Sequence, residues 1–448
     1  MALGVRTDLY QLTMVEAYLA SGLADKLASY ELFFRAPPDG CSFAVAAGLE
    51  PALDFLESLR FDPEDLDYLR KLGHFSDATI DYLAGLRFSG EVWAVPEGTI
   101  VFAGEPLLRV TARLPEAQLA ETGLLNLINF QTLVATAAAR LVRSAGGRDV
   151  VEFGLRRAQG PDGGLSASRA SYLGGCVSTS NVEAGLRYGI PVAGTQAHAF
   201  IMAFPSEIEA FRAYAARYPD SCVLLVDTYD TLASGVPNAV KVGRELAAAG
   251  HDLRGIRLDS GDMDVLSRAA RKMMDEAGLT RCRILASGDL TEGRVRALVE
   301  AGAPIDIFGV GTWLVAGGDD RALGGVFKLV EVGGKPVLKV SSDPFKATLP
   351  GCKQIWRGPG PSDTLGFSDE EHTGAVLLEP VMRDGRRLRR PPALPDVRRA
   401  CVAAWHMLPD AFFSPGHPEP LRLSDRLASA RDELVAQALG NFPQEEGP

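Results

Sequence analysis

The sequence has no paired cysteines, no long apolar run and no surplus of basic residues, and each lack removes a class of function. Its six cysteines, Cys41, Cys176, Cys222, Cys282, Cys352 and Cys401, are scattered with no CxxC among them. That spacing disfavours a zinc knuckle or a disulfide framework, so the cysteines are expected to be reduced and structural. None sits in a motif that lowers a thiol pKa, which argues against a catalytic cysteine. No window approaches the roughly 18 apolar residues of a membrane span, and the opening MALGVRTDLYQLTM lacks an apolar core followed by a small-residue cleavage site. The expectation is a soluble, cytoplasmic protein. A formal net charge of −11 disfavours nucleic acid and anionic membranes as partners, because both require clustered Lys and Arg. A small anionic substrate then needs a local basic pocket.

What is present is enough chain for two domains: 448 residues exceed the size at which a single core usually keeps growing. Residues 7–22 read as an amphipathic helix with Leu9, Leu12, Met14, Val15 and Tyr18 on or near one face. Residues 90–112 are strand-rich and broken by Pro-Glu-Gly and Ala-Gly-Glu-Pro turns, and a long helical stretch follows over 119–142. From residue 150 the pattern becomes short apolar runs, VVEF, PVAG, CVLLV, GIRL, CRILA and DIFGV, most with room for a helix behind them. That is the pattern of βα units and a parallel sheet. Beyond it, 326–341 reads as a hairpin turning at Gly-Gly-Lys-Pro, and the tail holds a closing helix over 424–438. The expected division is an N-terminal α/β domain over 1–140, a barrel over 141–357, and a segment over 358–448 that packs back on the first domain.

Polar residues gather at the exits of the runs: Arg156, Thr195 with His198, Asp227 with Thr228, Arg257 with Asp259, Ser287 with Asp289, and Gly311 with Thr312. A (β/α) barrel collects its active site from the C-terminal ends of several strands, whereas an open doubly wound sheet concentrates it at one switch point. The distribution favours a barrel. Arg156 and Arg157 before a Gly-rich loop suit phosphate oxygens, the alternative being a surface pair bridging to carboxylates. His198 alone of six histidines stands at a strand exit, where an imidazole can be base, electrophile or phosphoryl acceptor, or simply structural. RLDSGD offers Arg257 to a carboxylate and Asp259 and Asp262 to ribose hydroxyls or Mg²⁺; a self-satisfied turn with a helix cap is the alternative. Ser287, Gly288 and Asp289, then Gly309, Gly311 and Thr312, form two successive turns of the kind that hold phosphate on backbone N–H groups, although glycines there also permit tight packing.

TDLYQLTM, EFGLRRAQGPDGG, GTQAHAF, VDTYDT, RLDSGD and GVGT occur in the order found in nicotinate phosphoribosyltransferases, and the chain resembles that family from Thr7 to about Arg357. The resemblance implies an irregular (β/α) barrel with a second α/β domain built from the N-terminal region and returning C-terminal segments. It implies a homodimer with shared active sites, and nicotinate, phosphoribosyl pyrophosphate and ATP as substrates with Mg²⁺. By motif, Tyr10 borders the nicotinate ring and Thr195 and Arg257 contact the nicotinate end of the pocket. Arg156 meets the diphosphate, Thr312 holds the ribose phosphate, and His198 is phosphorylated from ATP. Some members carry a cysteine-rich metal-binding segment near the C-terminus, which this chain lacks, so no structural zinc is expected. The basic loop with Lys346, Lys353 and Arg357 matches the family's K-x-T-L-P-G-x-K pattern and is a candidate to close over phosphates. Competing readings are a nicotinamide or quinolinate phosphoribosyltransferase of the same fold, and a metal-dependent barrel lyase or hydrolase using Asp227, Asp259 and Asp262.

Overall fold

The computed structural model describes residues 3–341, 347–360, 362–416 and 421–440, which form two compact units. The first takes the chain up to Leu133, Ala322–Ala393, and the chain from Ala403; the second takes Val134–Arg321 and Leu394–Val402. These limits differ from the expected 140 and 357. The hairpin placed with the barrel belongs to the first unit, because Gly325–Val332 is hydrogen-bonded antiparallel along Leu27–Phe34. Leu394–Val402 goes to the second unit, where Arg398 donates to the carbonyls of Gly175 and Cys176 at 2.7 and 2.9 Å.

In the second unit six parallel strands run in the order Ser178–Thr179, Asp149–Glu152, Ile307–Val310, Arg283–Ala286, Gly255–Leu258, Val223–Leu225. The end strands are not paired with each other, so the barrel is irregular and open. Five of the six apolar runs become named strands. PVAG instead makes one bridge, Thr179 to Val192, because Pro191 cannot donate to a ladder. Val150, Leu224, Ile256, Leu258, Ile284, Ala286, Phe308 and Val310 are buried between the sheet and its helices. Helix starts fall just past strand ends where polar side chains cap them: Asn181, Asp262 and Thr291 each accept backbone N–H groups of the following turn.

The first unit is built on a seven-stranded sheet in which Leu27–Phe34 lies between Gly325–Val332 and Leu108–Arg113. Its hairpin turns at Gly333 and Gly334, both at positive φ (58° and 73°), the two-residue geometry that matches strand twist. The stretch Leu114–Ser144 is long and apolar enough to cross a membrane, but most of it is buried in the protein. Leu124, Ile128 and Leu133 enter the first core, and Ala137, Ala138 and Leu141 enter the second. None of the six cysteines is in a disulfide, and burial pushes the Cys222, Cys282 and Cys401 thiols up to about 12, so these three are structural.

Candidate active site

The Gly255–Leu258 strand puts Ile256 and Leu258 into the core and leaves Arg257 between them on the other face. Arg257 donates from Nε to Ser287 Oγ at 2.8 Å, from Nη1 to Thr195 Oγ1 at 3.0 Å, and from Nη2 to Asp259 Oδ1 at 2.5 Å. Its guanidinium lies 5.5 Å from the centre of the Phe153 ring. Ser287 in turn donates to Asp259 Oδ1 at 2.6 Å. Four residues from three motifs thus meet in one network. Burial alone would raise the Asp259 carboxyl, but the Ser287 hydroxyl and the Arg257 guanidinium outweigh it and hold it below its usual range.

His198 opens the short His198–Met202 helix with its side chain 41% exposed. Its Nδ1 is 3.1 Å from Thr228 Oγ1, and its Nε2 is 3.7 Å from Asp259 Oδ2 and 4.0 Å from Asp227 Oδ1. The Asp227 side chain is buried just past the Val223–Leu225 strand. Its Oδ2 accepts from the Asp259 N–H at 3.0 Å and the Ser260 hydroxyl at 2.6 Å, while its Oδ1 has no hydrogen-bond partner among the described residues. An imidazole flanked by two carboxylates and oriented by a hydroxyl is a nucleophile or a base. Asp227 with Thr228 stands among the polar residues at the strand exits, and VDTYDT marks that position in the sequence, but only the fold sets the two beside His198.

A cleft of about 540 Å³ opens on this network, lined by Arg156, Arg157, Arg257, Asp259, Asp289 and Thr312 among others. Arg156 and Arg157 lie exposed in the single-turn helix Leu155–Arg157, and their side chains make no hydrogen bond or ion pair among the described residues. Their side chains are therefore free for an incoming anion. Gly288 and Asp289 both have positive φ (90° and 45°), and a Cβ at Gly288 would overlap the Asp259 carbonyl oxygen. Only glycine lets the two strand-end loops approach this closely. Gly309 and Gly311 pack on Phe153: a Cβ at Gly309 would lie 2.6 Å from its ring and one at Gly311 3.2 Å from its carbonyl oxygen. Thr312 stands exposed at the start of the next turn.

Several expected residues lie elsewhere. Asp262 caps the Met263–Glu276 helix, accepting from Asp264 and Val265 N–H at 3.1 and 3.2 Å. It therefore takes the turn-and-cap role rather than joining the Arg257 network. Among the described residues no three His, Cys, Asp or Glu side chains are grouped to hold a metal, so Asp227, Asp259 and Asp262 do not form the set a metal-dependent lyase was expected to use. Lys353 is buried 2.8 Å from Glu31 Oε2, and Arg357 is bound by Asp363 at 2.5 Å, so both are structural rather than part of a phosphate loop. Lys346 lies outside the described residues. Tyr10 is in the first unit, 48% exposed on the Leu9–Ala20 helix. Its neighbour Gln11 is buried and bonded to Gln118 and to Glu121 Oε2, and Asp8 accepts from Thr122 Oγ1 at 2.8 Å. The motif's polar residues thus fasten the helix and leave Tyr10 facing outward.

Residues 5–129 match the family model of the nicotinate phosphoribosyltransferase N-terminal domain, and 149–375 match that of the nicotinate phosphoribosyltransferase family. The chain is 46% identical over 429 residues to a nicotinate phosphoribosyltransferase of Mycobacterium tuberculosis, covering 94% of this chain and 91% of that protein. It is 47% identical to that of Bacillus subtilis over 87% of this chain and 79% of the other. The crystal structure of human nicotinic acid phosphoribosyltransferase superposes with a TM-score of 0.86 at 33% identity, over 96% of this chain and 100% of that one. A Pyrococcus furiosus nicotinate-nucleotide pyrophosphorylase shares the fold, with a TM-score of 0.72 at 24% identity over 89% and 94% of the two chains.

Proposed function

The chain belongs to the nicotinate phosphoribosyltransferase family, and from that premise we propose that it joins nicotinate to phosphoribosyl pyrophosphate, forming nicotinate mononucleotide and pyrophosphate in NAD salvage. The observation that carries the reading is the Arg257 network beside two unpaired arginines. A guanidinium has five N–H donors, and Arg257 spends one on each of Ser287, Thr195 and Asp259. One N–H remains on each terminal nitrogen, the number a carboxylate accepts in bidentate fashion. Nicotinate satisfies both; nicotinamide would set its own N–H₂ against them. Quinolinate is also an acid, so it is separated by assay rather than by charge.

In the reaction the pyridine nitrogen attacks the anomeric carbon as the diphosphate departs, and positive charge develops on the sugar. Asp259, kept ionised by Ser287 and Arg257, stabilises that charge, while Arg156 and Arg157 take up the negative charge of the leaving group. No protein nucleophile is needed for this step. Asp289 is exposed on the cleft with no partner for its carboxylate among the described residues, so Asp289 and Asp259 suit a Mg²⁺ ion held mainly by diphosphate oxygens. Such an ion would supply charge neutralisation. Ser287, Gly288, Gly311 and Thr312 complete the ribose and phosphate contacts.

ATP coupling acts at His198. With Nδ1–H donated to Thr228, the Nε2 lone pair attacks the γ-phosphorus and ADP leaves; Asp227 and Asp259 stabilise the positive charge on the ring. Later hydrolysis of the phosphohistidine returns the imidazole and releases phosphate. Tyr10, exposed on the first unit, would border the pyridine pocket of a second copy in a cytoplasmic homodimer with shared active sites. The test is mononucleotide and pyrophosphate formation from phosphoribosyl pyrophosphate and Mg²⁺ with nicotinate, nicotinamide or quinolinate, with and without ATP. Turnover confined to nicotinate and raised by ATP is expected; turnover confined to another pyridine overturns the reading.

A further inference from the structure

Glu152 ends the Asp149–Glu152 strand, fully buried, and no cation pairs with it among the described residues. A carboxylate in that position is costly unless hydrogen bonds satisfy it. Three donors do so: the Gly154 N–H to Oε1, and the hydroxyls of Ser168 at 2.9 Å and Thr179 at 2.5 Å to Oε2. Asn181 donates to Ser168 Oγ at 3.1 Å and caps the Val182–Tyr188 helix. One buried carboxylate therefore ties a strand end to a helix and a neighbouring strand, and through Asn181 the network reaches a second helix.

What it fixes is the turn that carries the free arginines. Gly154 begins that turn, with the Arg157 N–H returning to the Gly154 carbonyl at 2.7 Å. A Cβ at Gly154 would overlap Val315 and lie 2.9 Å from Glu152 Oε1, so the carboxylate and the adjacent turn leave the backbone one place to sit. Phe153, between the two, is held by its N–H to the Val310 carbonyl at 2.8 Å, and its ring lies under Arg257. We infer that Glu152 is a positioning residue for the diphosphate end of the reaction, setting where Arg156 and Arg157 stand without touching substrate. The inference rests on the phosphoribosyl-transfer reading above. Ordinary core packing does not ask for a buried, cation-free carboxylate here; a turn that must present two guanidiniums at a fixed place does.

The experiment measures pyrophosphate affinity by calorimetry, together with steady-state kinetics, for wild type, Glu152→Gln, Thr179→Val and Ser168→Ala in the full chain. Glu152→Gln replaces one accepting oxygen by a donor, and is expected to weaken pyrophosphate binding and raise KM for phosphoribosyl pyrophosphate by about tenfold. KM for nicotinate should move less than about twofold, since Arg257 keeps its own partners. The single-hydroxyl variants should shift the same quantities in the same direction by about two- to threefold, which keeps the test available if Glu152→Gln folds poorly. In an Arg156→Ala, Arg157→Ala background the Glu152→Gln effect on pyrophosphate should vanish. Lowered thermal stability with unchanged pyrophosphate affinity in the folded variants overturns the proposal. So does an equal loss in both KM values. If wild type binds pyrophosphate but turns over no pyridine, the function reading fails while the affinity comparison still decides the role of Glu152.

Discussion

Arg257→Lys isolates geometry from charge, because lysine keeps the positive charge but cannot reach Ser287, Thr195 and Asp259 at once. The three bonds, at 2.8, 3.0 and 2.5 Å, leave the wild-type side chain one orientation. A hydrogen bond to a charged group contributes about 1.5 to 3 kcal/mol, and lysine keeps at most one of three. The site is 16% exposed, so water replaces part of the loss. A net cost of roughly 2.7 kcal/mol in transition-state binding is reasonable, which is about a hundredfold in kcat/KM for nicotinate. Discrimination against nicotinamide should shrink in parallel, since the bidentate site is gone. The assay is kcat/KM for both pyridines at saturating phosphoribosyl pyrophosphate, with thermal melting as a control for folding. Arg257→Lys within threefold of wild type on nicotinate, and as selective, would refute the bidentate argument.

Other expectations follow from neighbouring geometry. His198→Ala should retain ATP-independent turnover while losing stimulation by ATP and any acid-labile phosphate seen by ³¹P NMR; ATP stimulation that survives would remove His198 from the coupling. Asp262→Ala should lose about 1 kcal/mol of stability as a missing helix cap and leave KM values nearly unchanged, whereas a tenfold rise in a substrate KM would restore it to the binding site. Gly288→Ala should abolish activity, since a Cβ there meets the Asp259 carbonyl at positive φ; a variant with normal kcat would show that the loop relaxes freely. Burial, then the Asp363 carboxyl beside it, holds the Glu105 carboxyl well above its ordinary 4.5. The folded form therefore binds a proton that the unfolded chain gives up, and this contribution, full below about pH 4.5, is lost as pH rises towards the folded value. Glu105→Gln should melt higher than wild type at pH 8 with the difference closing near pH 4; parallel melting curves across that range would contradict it.

The barrel was legible in the sequence because buried parallel strands are short β-branched runs with helices behind them, a local pattern that neighbours cannot disguise. Five of the six runs became strands, and the polar residues at their exits supplied the cleft. Thr195, Arg257, Asp259 and Ser287 came from separate motifs, each ambiguous alone between turn chemistry and function, and the sequence could name them without showing that they are bonded to one another. Asp262 and Lys353 show the limit. A helix cap and a buried ion pair use the same residue types as a substrate site, and only the neighbours decide.

The strand Gly325–Val332 was placed with the barrel because it follows it in sequence, but its hydrogen bonds run to Leu27–Phe34, and antiparallel pairing between distant segments leaves no local trace. Glu152 opens the EFGLRRAQGPDGG motif, but nothing in the sequence gives it a role, because its burial depends on donors from Gly154, Ser168 and Thr179 that the fold brings to it. By itself the sequence determined which segments are strands, which are helices, and which chemical groups stand at their ends, because those follow from periodicity and residue type. Which of those groups share a proton, an ion pair or a cleft was decided by the tertiary structure alone, since each such contact needs two or three segments distant in the chain to be brought within about 3 Å.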